Sequence, residues 1–239
     1  MNKNNDSFLS AMKVALVARN GTLDQKDVEH VKVAGLEIVE THPDVVLSYG
    51  GEGIFLQAEK NYPGVPKLLV DNNKICNKCT KHTIEDWMYA IRTNTFKVEN
   101  YIKIKAKIGE KRLLAVKEIV LRNKLPTHAL RFELNLGGES FEEGFVGDGI
   151  VVATPFGAHG YFYSIARTVF NIGLGLAFNN LTRDISHFNF EDEKSIEIKV
   201  TRGEAVLTAD NNPDAIEIKE GDSILIKKAE EKAQIMSLH

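Results

Sequence analysis

The spacing of hydrophobic positions changes near residue 95. Before it, short continuous apolar runs alternate with segments of helical spacing. Val14, Ala15, Leu16 and Val17, within Lys13–Ala18, form an unbroken apolar run of the kind a buried parallel strand carries. Residues 24–33 read as a helix with Asp24 as its N-cap. Residues 36–39 and 45–48 read as strands, with Pro43-Asp44 between them. A helix is expected over 54–61, ending near Pro63-Gly64, and a third buried strand over 67–70. Thr83 opens a helix through Arg92, with Glu85 and Asp86 in the first turn, where the helix dipole favours acids. Strands alternating with helices predict a parallel sheet covered on both faces.

From residue 96 the period drops to two. Ile102, Ile104, Ala106 and Ile108 alternate with lysines, Leu130, Phe132, Leu134 and Leu136 with polar residues, and Ile196, Ile198 and Val200 with charged ones. Such alternation predicts antiparallel sheet with one buried face. One helical stretch, roughly Gly160 to Phe178, is expected to interrupt it, and strands over 215–218 and 223–226 close it. The fold class is therefore an α/β, Rossmann-like N-terminal domain (residues 1–95) followed by an all-β, antiparallel, sandwich-like C-terminal domain (residues 96–239). The last residues of the chain are free to pack back on the first domain.

Composition narrows the class. The 239 residues carry a net charge of −3, which argues against a protein held to nucleic acid by phosphate contacts. No apolar run approaches the roughly 20 residues of a membrane helix. The polar, Asn-rich start, residues 1–10, lacks the apolar core of a signal peptide, so a cytoplasmic location is expected. Cys76 and Cys79 form a single C-x-x-C with His82 nearby. With no second knuckle to complete four ligands, two reduced thiols are expected there, and no residue is assigned to a metal.

Two glycine-rich stretches carry the candidate chemistry. Gly50-Gly51-Glu52-Gly53 follows the strand at 45–48 and precedes a helix. Glycines let the backbone approach an anion closely, and the helix start aims free N–H groups at the same place. A carboxylate inside a phosphate-holding turn makes sense if it accepts a proton or positions Mg²⁺. The second stretch, Gly147 through Tyr161, runs from Gly-Asp-Gly into an apolar strand, then through Thr154-Pro155-Phe156-Gly157 into a helix. One such site per domain predicts a cleft for a phosphorylated ligand.

In these motifs the chain resembles the NAD kinase family, part of a superfamily with diacylglycerol kinases and 6-phosphofructokinases. Four blocks match in order: Gly50–Gly53 with Gly-Gly-Asp-Gly, Ala115–Val120 with Ala-x-Asn-Glu-Val-Val, Gly147–Tyr161 with the family's Gly-Asp-Gly…Thr-Pro-Thr-Gly-Ser-Thr-Ala-Tyr, and Arg202-Gly203-Glu204 with Ala209-Asp210-Asn211. The resemblance implies phosphoryl transfer from ATP or polyphosphate, with Mg²⁺, to the adenosine 2′-hydroxyl of NAD, giving NADP. It implies Glu52 as general base and Gly50, Gly51 and Gly53 as holders of the donor phosphates. Glu118 would bond ribose hydroxyls beside Lys117. Asp148, Thr154, Ala158, His159 and Tyr161 would line the dinucleotide site, with Ser164 in the following helix and Asp210 from the last block. NAD and ATP are the implied ligands, and a homodimer or homotetramer the implied assembly.

Each block also departs from the pattern. Glu52 stands for Asp, Lys117 for Asn, Phe156, Ala158 and His159 for Thr, Ser and Thr, and Gly160 for Ala; Asp210 lacks its following Gly, and Asp71-Asn72-Asn73 replaces a longer glycine-containing block. A carboxylate moved by about 1 Å can cost about a hundredfold in rate. Two further readings therefore stay open: a kinase of the superfamily acting on a sugar, nucleoside or lipid hydroxyl, with Lys117, Phe156 and Phe162 reshaping the acceptor pocket, or a nucleotide-binding relative without turnover.

Overall fold

The structure, a computed structural model, describes residues 12–19, 21, 23–70, 82–141 and 144–238. The N-terminal tail, Asp71-Asn72-Asn73, Cys76 and Cys79 lie outside these residues. The chain divides into two compact units, one formed by residues 1–101 with 233–239 and the other by residues 102–232.

In the first unit, strands β1 (Lys13–Ala18), β2 (Glu37–Ile38), β3 (Val45–Tyr49) and β4 (Lys67–Val70) pair side by side in the order β4-β3-β1-β2, all parallel. Helices α1 (Gln25–Val33), α2 (Glu52–Asn61) and α3 (Ile84–Thr93) lie between them in sequence. The capping signals read from the sequence are in place. Asp24 accepts the Asp27 N–H at 2.9 Å. Thr83 and Asp86 form a reciprocal capping box at the start of α3. Leu47, Leu68 and Trp87 are fully buried in this unit's core. Behind α2, Lys67 is wholly buried, paired with the buried Glu59 carboxylate and donating to the Tyr62 carbonyl at 2.6 Å. The charge is thereby matched rather than left in an apolar interior.

The second unit is β-rich. Strands β5 (Phe96–Ile108), which begins in the first unit, and β6 (Lys111–Ala115) form a hairpin, and the first of them also pairs with β17 (Ser223–Leu238). From the latter the sheet runs in the order β14 (Ile196–Arg202), β8 (Leu130–Leu136) and β10 (Phe145–Gly147), with β9 (Glu139–Ser140) on β8. A second sheet has six strands in the order β13 (His187–Phe190), β12 (Leu174–Asn179), β11 (Gly149–Ala153), β7 (Glu118–Asn123), β15 (Ala205–Ala209) and β16 (Ile216–Ile218). One core cluster draws side chains from both sheets, among them Phe132, Phe145, Leu121 and Leu176.

The helix expected over 160–178 is much shorter. Helix α4 spans Tyr161–Ala166 and ends at Arg167, which adopts a left-handed conformation with φ of 56°. Residues 174–179 instead form β12, a central strand. Both of its faces are covered, so its apolar run has no alternation to mark it as a strand. Among the described residues no helix is long and apolar enough to cross a membrane.

Candidate functional site

The glycine turn of the first unit sits where the sheet's strand logic puts a ligand, beyond the C-terminal end of a parallel strand. Gly50 has φ of 143° and its N–H donates to the Val70 carbonyl at 2.8 Å. A Cβ at this position would lie 2.7 Å from Ile54 Cγ1, so glycine is required on both counts. Gly51 is the N-cap of α2 and brings no side chain to its N–H groups. The helix begins at Glu52, two residues earlier than the apolar spacing predicts. The half-exposed Glu52 carboxylate therefore belongs to the first helical turn, where the dipole favours a negative charge. Gly53 is exposed in the same turn.

In the second unit one short segment organises the site. Residues 116–118 link β6 to β7 and are gripped on both edges. Their N–H groups point at Asp210, whose Oδ2 accepts from Val116 at 2.9 Å and whose Oδ1 accepts from Lys117 at 2.8 Å and Glu118 at 3.0 Å. The Asp210 N–H in turn donates to the Glu118 carbonyl at 2.8 Å, closing a ring. The Val116 and Lys117 carbonyls face Thr154, whose hydroxyl donates to Val116 O at 2.5 Å and whose N–H donates to Lys117 O at 3.0 Å. Gly157 presses on the same segment, since a Cβ there would lie 2.2 Å from Lys117 O. Burial pushes the Asp210 carboxyl above its ordinary range; the three N–H donors and the Lys117 charge oppose that shift.

This scaffold presents two charged side chains. Glu118 is 6% exposed, and its Oε2 accepts the Tyr161 N–H at 3.3 Å. The Lys117 ammonium stands 3.9 Å from Glu118 Oε1. Tyr161, the first residue of α4, is half-buried against a small apolar cluster that includes Val120, Val151 and Ala158. Ala158 is fully buried in that cluster, so its methyl contacts core rather than solvent. His159 is exposed. The exposed Ser164 hydroxyl donates back to the Tyr161 carbonyl at 2.7 Å, within the helix. Phe162 is fully buried edge-on to Phe170, with ring centroids 5.0 Å apart, so it is core and not a wall of an acceptor pocket.

Asp148 does not join this group. In the pairing of β11 with β7, Ala153 lies opposite Glu118 while Gly149 lies opposite Arg122. Asp148 thus sits at the far end of β11 from Thr154, roughly 20 Å away at the usual rise of an extended strand. Its carboxylate is engaged by the Asn180 amide at 2.7 Å and the Asn123 amide at 3.4 Å. Sequence reasoning does not mark Asn123, Asn180 or the Val116 carbonyl. Their partners are 25 to 38 residues away, and no local spacing signals such contacts.

Comparison with known proteins finds similar sequences and the same architecture. No family model matches the chain. A NAD kinase of Lactobacillus delbrueckii subsp. bulgaricus is 31% identical over 179 residues, covering 66% of this chain and 64% of that protein. A NAD kinase of Francisella tularensis subsp. holarctica is 23% identical over 251 residues, covering 96% and 83%. The chain is similar in sequence to NAD kinases. The chain spans just under two thirds of the length of the Lactobacillus relative. Among solved structures, a NAD kinase from Archaeoglobus fulgidus in complex with ATP superposes with a TM-score of 0.79 at 20% identity, covering 95% of this chain and 94% of that one. Yeast NADH kinase complexed with NADH gives 0.82 at 12% identity, covering 95% and 84%. These likenesses carry the fold: an α/β N-terminal domain and a β-rich C-terminal domain. Against the family pattern the altered positions of this chain now have definite surroundings. Lys117 stands on the gripped segment beside the buried Glu118, and Glu52 opens α2.

Proposed function

We propose that this protein phosphorylates NAD on the adenosine 2′-hydroxyl, with ATP as donor and ADP as the second product. The observation that carries the reading is the doubly gripped 116–118 segment. It fixes a buried carboxylate, Glu118, beside the half-buried face of Tyr161. A carboxylate held this way accepts hydrogen bonds from ribose hydroxyls, and an aromatic side chain packs against a base. The Archaeoglobus relative was crystallised with ATP and the yeast one with NADH, which supports a nucleotide as ligand here.

In this reading Gly50, Gly51 and Gly53 bring backbone N–H groups to the donor phosphates. Glu52 takes the proton from the 2′-hydroxyl as its oxygen attacks the γ-phosphorus and the bond to ADP breaks. Glu118 holds the ribose, with Lys117 beside it. Thr154 and Asp210 act through the backbone they hold. Asp148 acts through its loop, where Asn123 and Asn180 bind it. Among the described residues no group of three or more His, Cys, Asp or Glu could hold a metal ion. Mg²⁺ would arrive on the donor's own phosphates. Mg²⁺ would supply charge neutralisation on the transferred group. A cytoplasmic location is part of this reading.

The test is NADP formation from NAD, ATP and Mg²⁺, followed with a coupled NADP-dependent dehydrogenase. Turnover is expected, and Glu52→Gln is expected to lower it by about 100-fold or more while leaving NAD binding within about threefold. Glu52 in place of Asp favours a second reading, nucleotide binding without turnover. Thermal stabilisation by NAD or NADP with no NADP formed would establish that reading instead.

A further inference from the structure

Lys117 and Gly160 meet at one point. A Cβ built on Gly160 would lie 2.5 Å from Lys117 Cε and 2.9 Å from its Nζ, and 3.3 Å from Glu118 Oε2. The end of the lysine side chain therefore lies across position 160, and a side chain added there would have to displace it. The stem is 12% exposed, so this is a packed path and not a loose surface conformer. The family pattern has Asn and Ala at these two positions; this chain has Lys and Gly. The two departures meet in space.

The change brings a cation to the segment that holds Glu118. The same segment carries the carboxylate of Glu118 and is held by that of Asp210. Both carboxylates repel a phosphate placed on a hydroxyl near Glu118. An ammonium 3.9 Å from Glu118 Oε1 offsets that repulsion and is a charged N–H donor for phosphate oxygens. We propose that Lys117, admitted by Gly160, is a specificity-determining residue that lets this subsite hold the 2′-phosphorylated dinucleotide more firmly than the unphosphorylated one. This rests on the reading of the site as a dinucleotide acceptor site. It implies a product that leaves slowly and competes with substrate.

The experiment is a double-mutant cycle on the full chain with Lys117→Asn, Gly160→Ala and the double variant. Two quantities are read: melting temperature without ligand, and affinity for NAD and for NADP by calorimetric titration without donor. Gly160→Ala is expected to displace the Lys117 side chain from its packed path and to lower the melting temperature by about 2–4 °C when Lys117 is present. When Lys117→Asn is already in place, the loss should be clearly smaller. Any backbone cost of alanine is common to both backgrounds and cancels in the cycle. If Gly160→Ala alone fails to fold while the double variant folds, the coupling is shown directly. Lys117→Asn is expected to weaken NADP binding about tenfold or more and NAD binding less than about threefold, and Gly160→Ala to do the same.

Equal melting losses in both backgrounds would overturn the pairing. Parallel losses, or none, for NAD and NADP would overturn the charge role. If the unsubstituted protein binds neither dinucleotide, both the acceptor reading and the anion assignment fall, and the melting cycle still decides whether the two residues are matched.

Discussion

A carboxylate that accepts three successive backbone N–H groups is committed to that backbone. Asp210 does this at residues 116–118, and its own N–H completes the ring through the Glu118 carbonyl. Asp210→Ala should therefore strand several amides and cost about 2–4 kcal/mol in chemical denaturation, with Glu118 losing its fixed position and nucleotide affinity falling with it. The pH dependence has an unusual sign. The folded-state pKa of Asp210 is raised, with burial the largest cause. Between the unfolded value, near 4, and that raised value, the folded chain binds the proton more tightly than the unfolded one. Asp210 thus contributes stability at low pH that is lost as pH rises through this window. Unfolding measured from pH 3 to 7 should show a stability difference, parent minus Asp210→Asn, that declines with rising pH; a rising difference would refute the assignment. Thr154 is the opposite jaw. Thr154→Val keeps the shape and removes the donor to Val116 O, and should cost about 1–2 kcal/mol while Thr154→Ser recovers most of it. The sequence shows these residues as motif members but not as jaws of one clamp. Asp210 and Val116 are 94 residues apart, and only the folded sheet brings them together.

Elements are legible in the sequence where one face is buried and one is wet. The two-residue alternation marks β8 and β14, and the capping residues Asp24 and Thr83 mark the starts of α1 and α3. Legibility fails at β12, which is buried along most of its length and paired on both sides, so neither period appears in it. The short α4 ends instead at a left-handed Arg167, a conformation that leaves no mark in hydrophobic spacing. Glycines show the same limit. Gly175 is placed in β12 because a Cβ would lie 2.4 Å from Phe170 and 2.6 Å from Phe162. Gly175→Ala should push these rings apart, destabilise the protein by about 1–3 kcal/mol in denaturant titration, and shift the α4 residues that flank Glu118. Phe170→Leu in the same background relieves the nearest contact and should restore part of the loss.

At the scale of the whole molecule, the last strand serves two units. Strand β17 starts on β14 in the second unit, and its final residues, Ala233–Leu238, fall in the first, where Ile235 pairs with Lys67 of β4. Met236 there is 1% exposed and packs in the same cluster as Trp87. Hydrophobic alternation ends the sheet near residue 226. Past that point Lys227, Lys228, Glu230, Glu231 and Lys232 break the apolar pattern before Ile235 and Met236 resume it. The first unit therefore depends on residues far from it in sequence, and its integrity can be observed separately because Trp87 is the only tryptophan of the chain. Removing residues 233–239 takes away a β4 partner and a core methionine. Trp87 emission should shift to the red, and the tryptophan-detected melting midpoint should fall by several degrees, as loss of about 2–5 kcal/mol of core burial requires. The signal of the second unit's sheets in circular dichroism should melt near its former temperature. Adding the missing heptapeptide in trans at millimolar concentration should recover part of the tryptophan shift. An unchanged Trp87 spectrum in the truncated chain would mean that the parallel sheet around the Gly50–Gly53 turn stands without its C-terminal strand, and the dependence of that turn on the end of the chain would have to be given up.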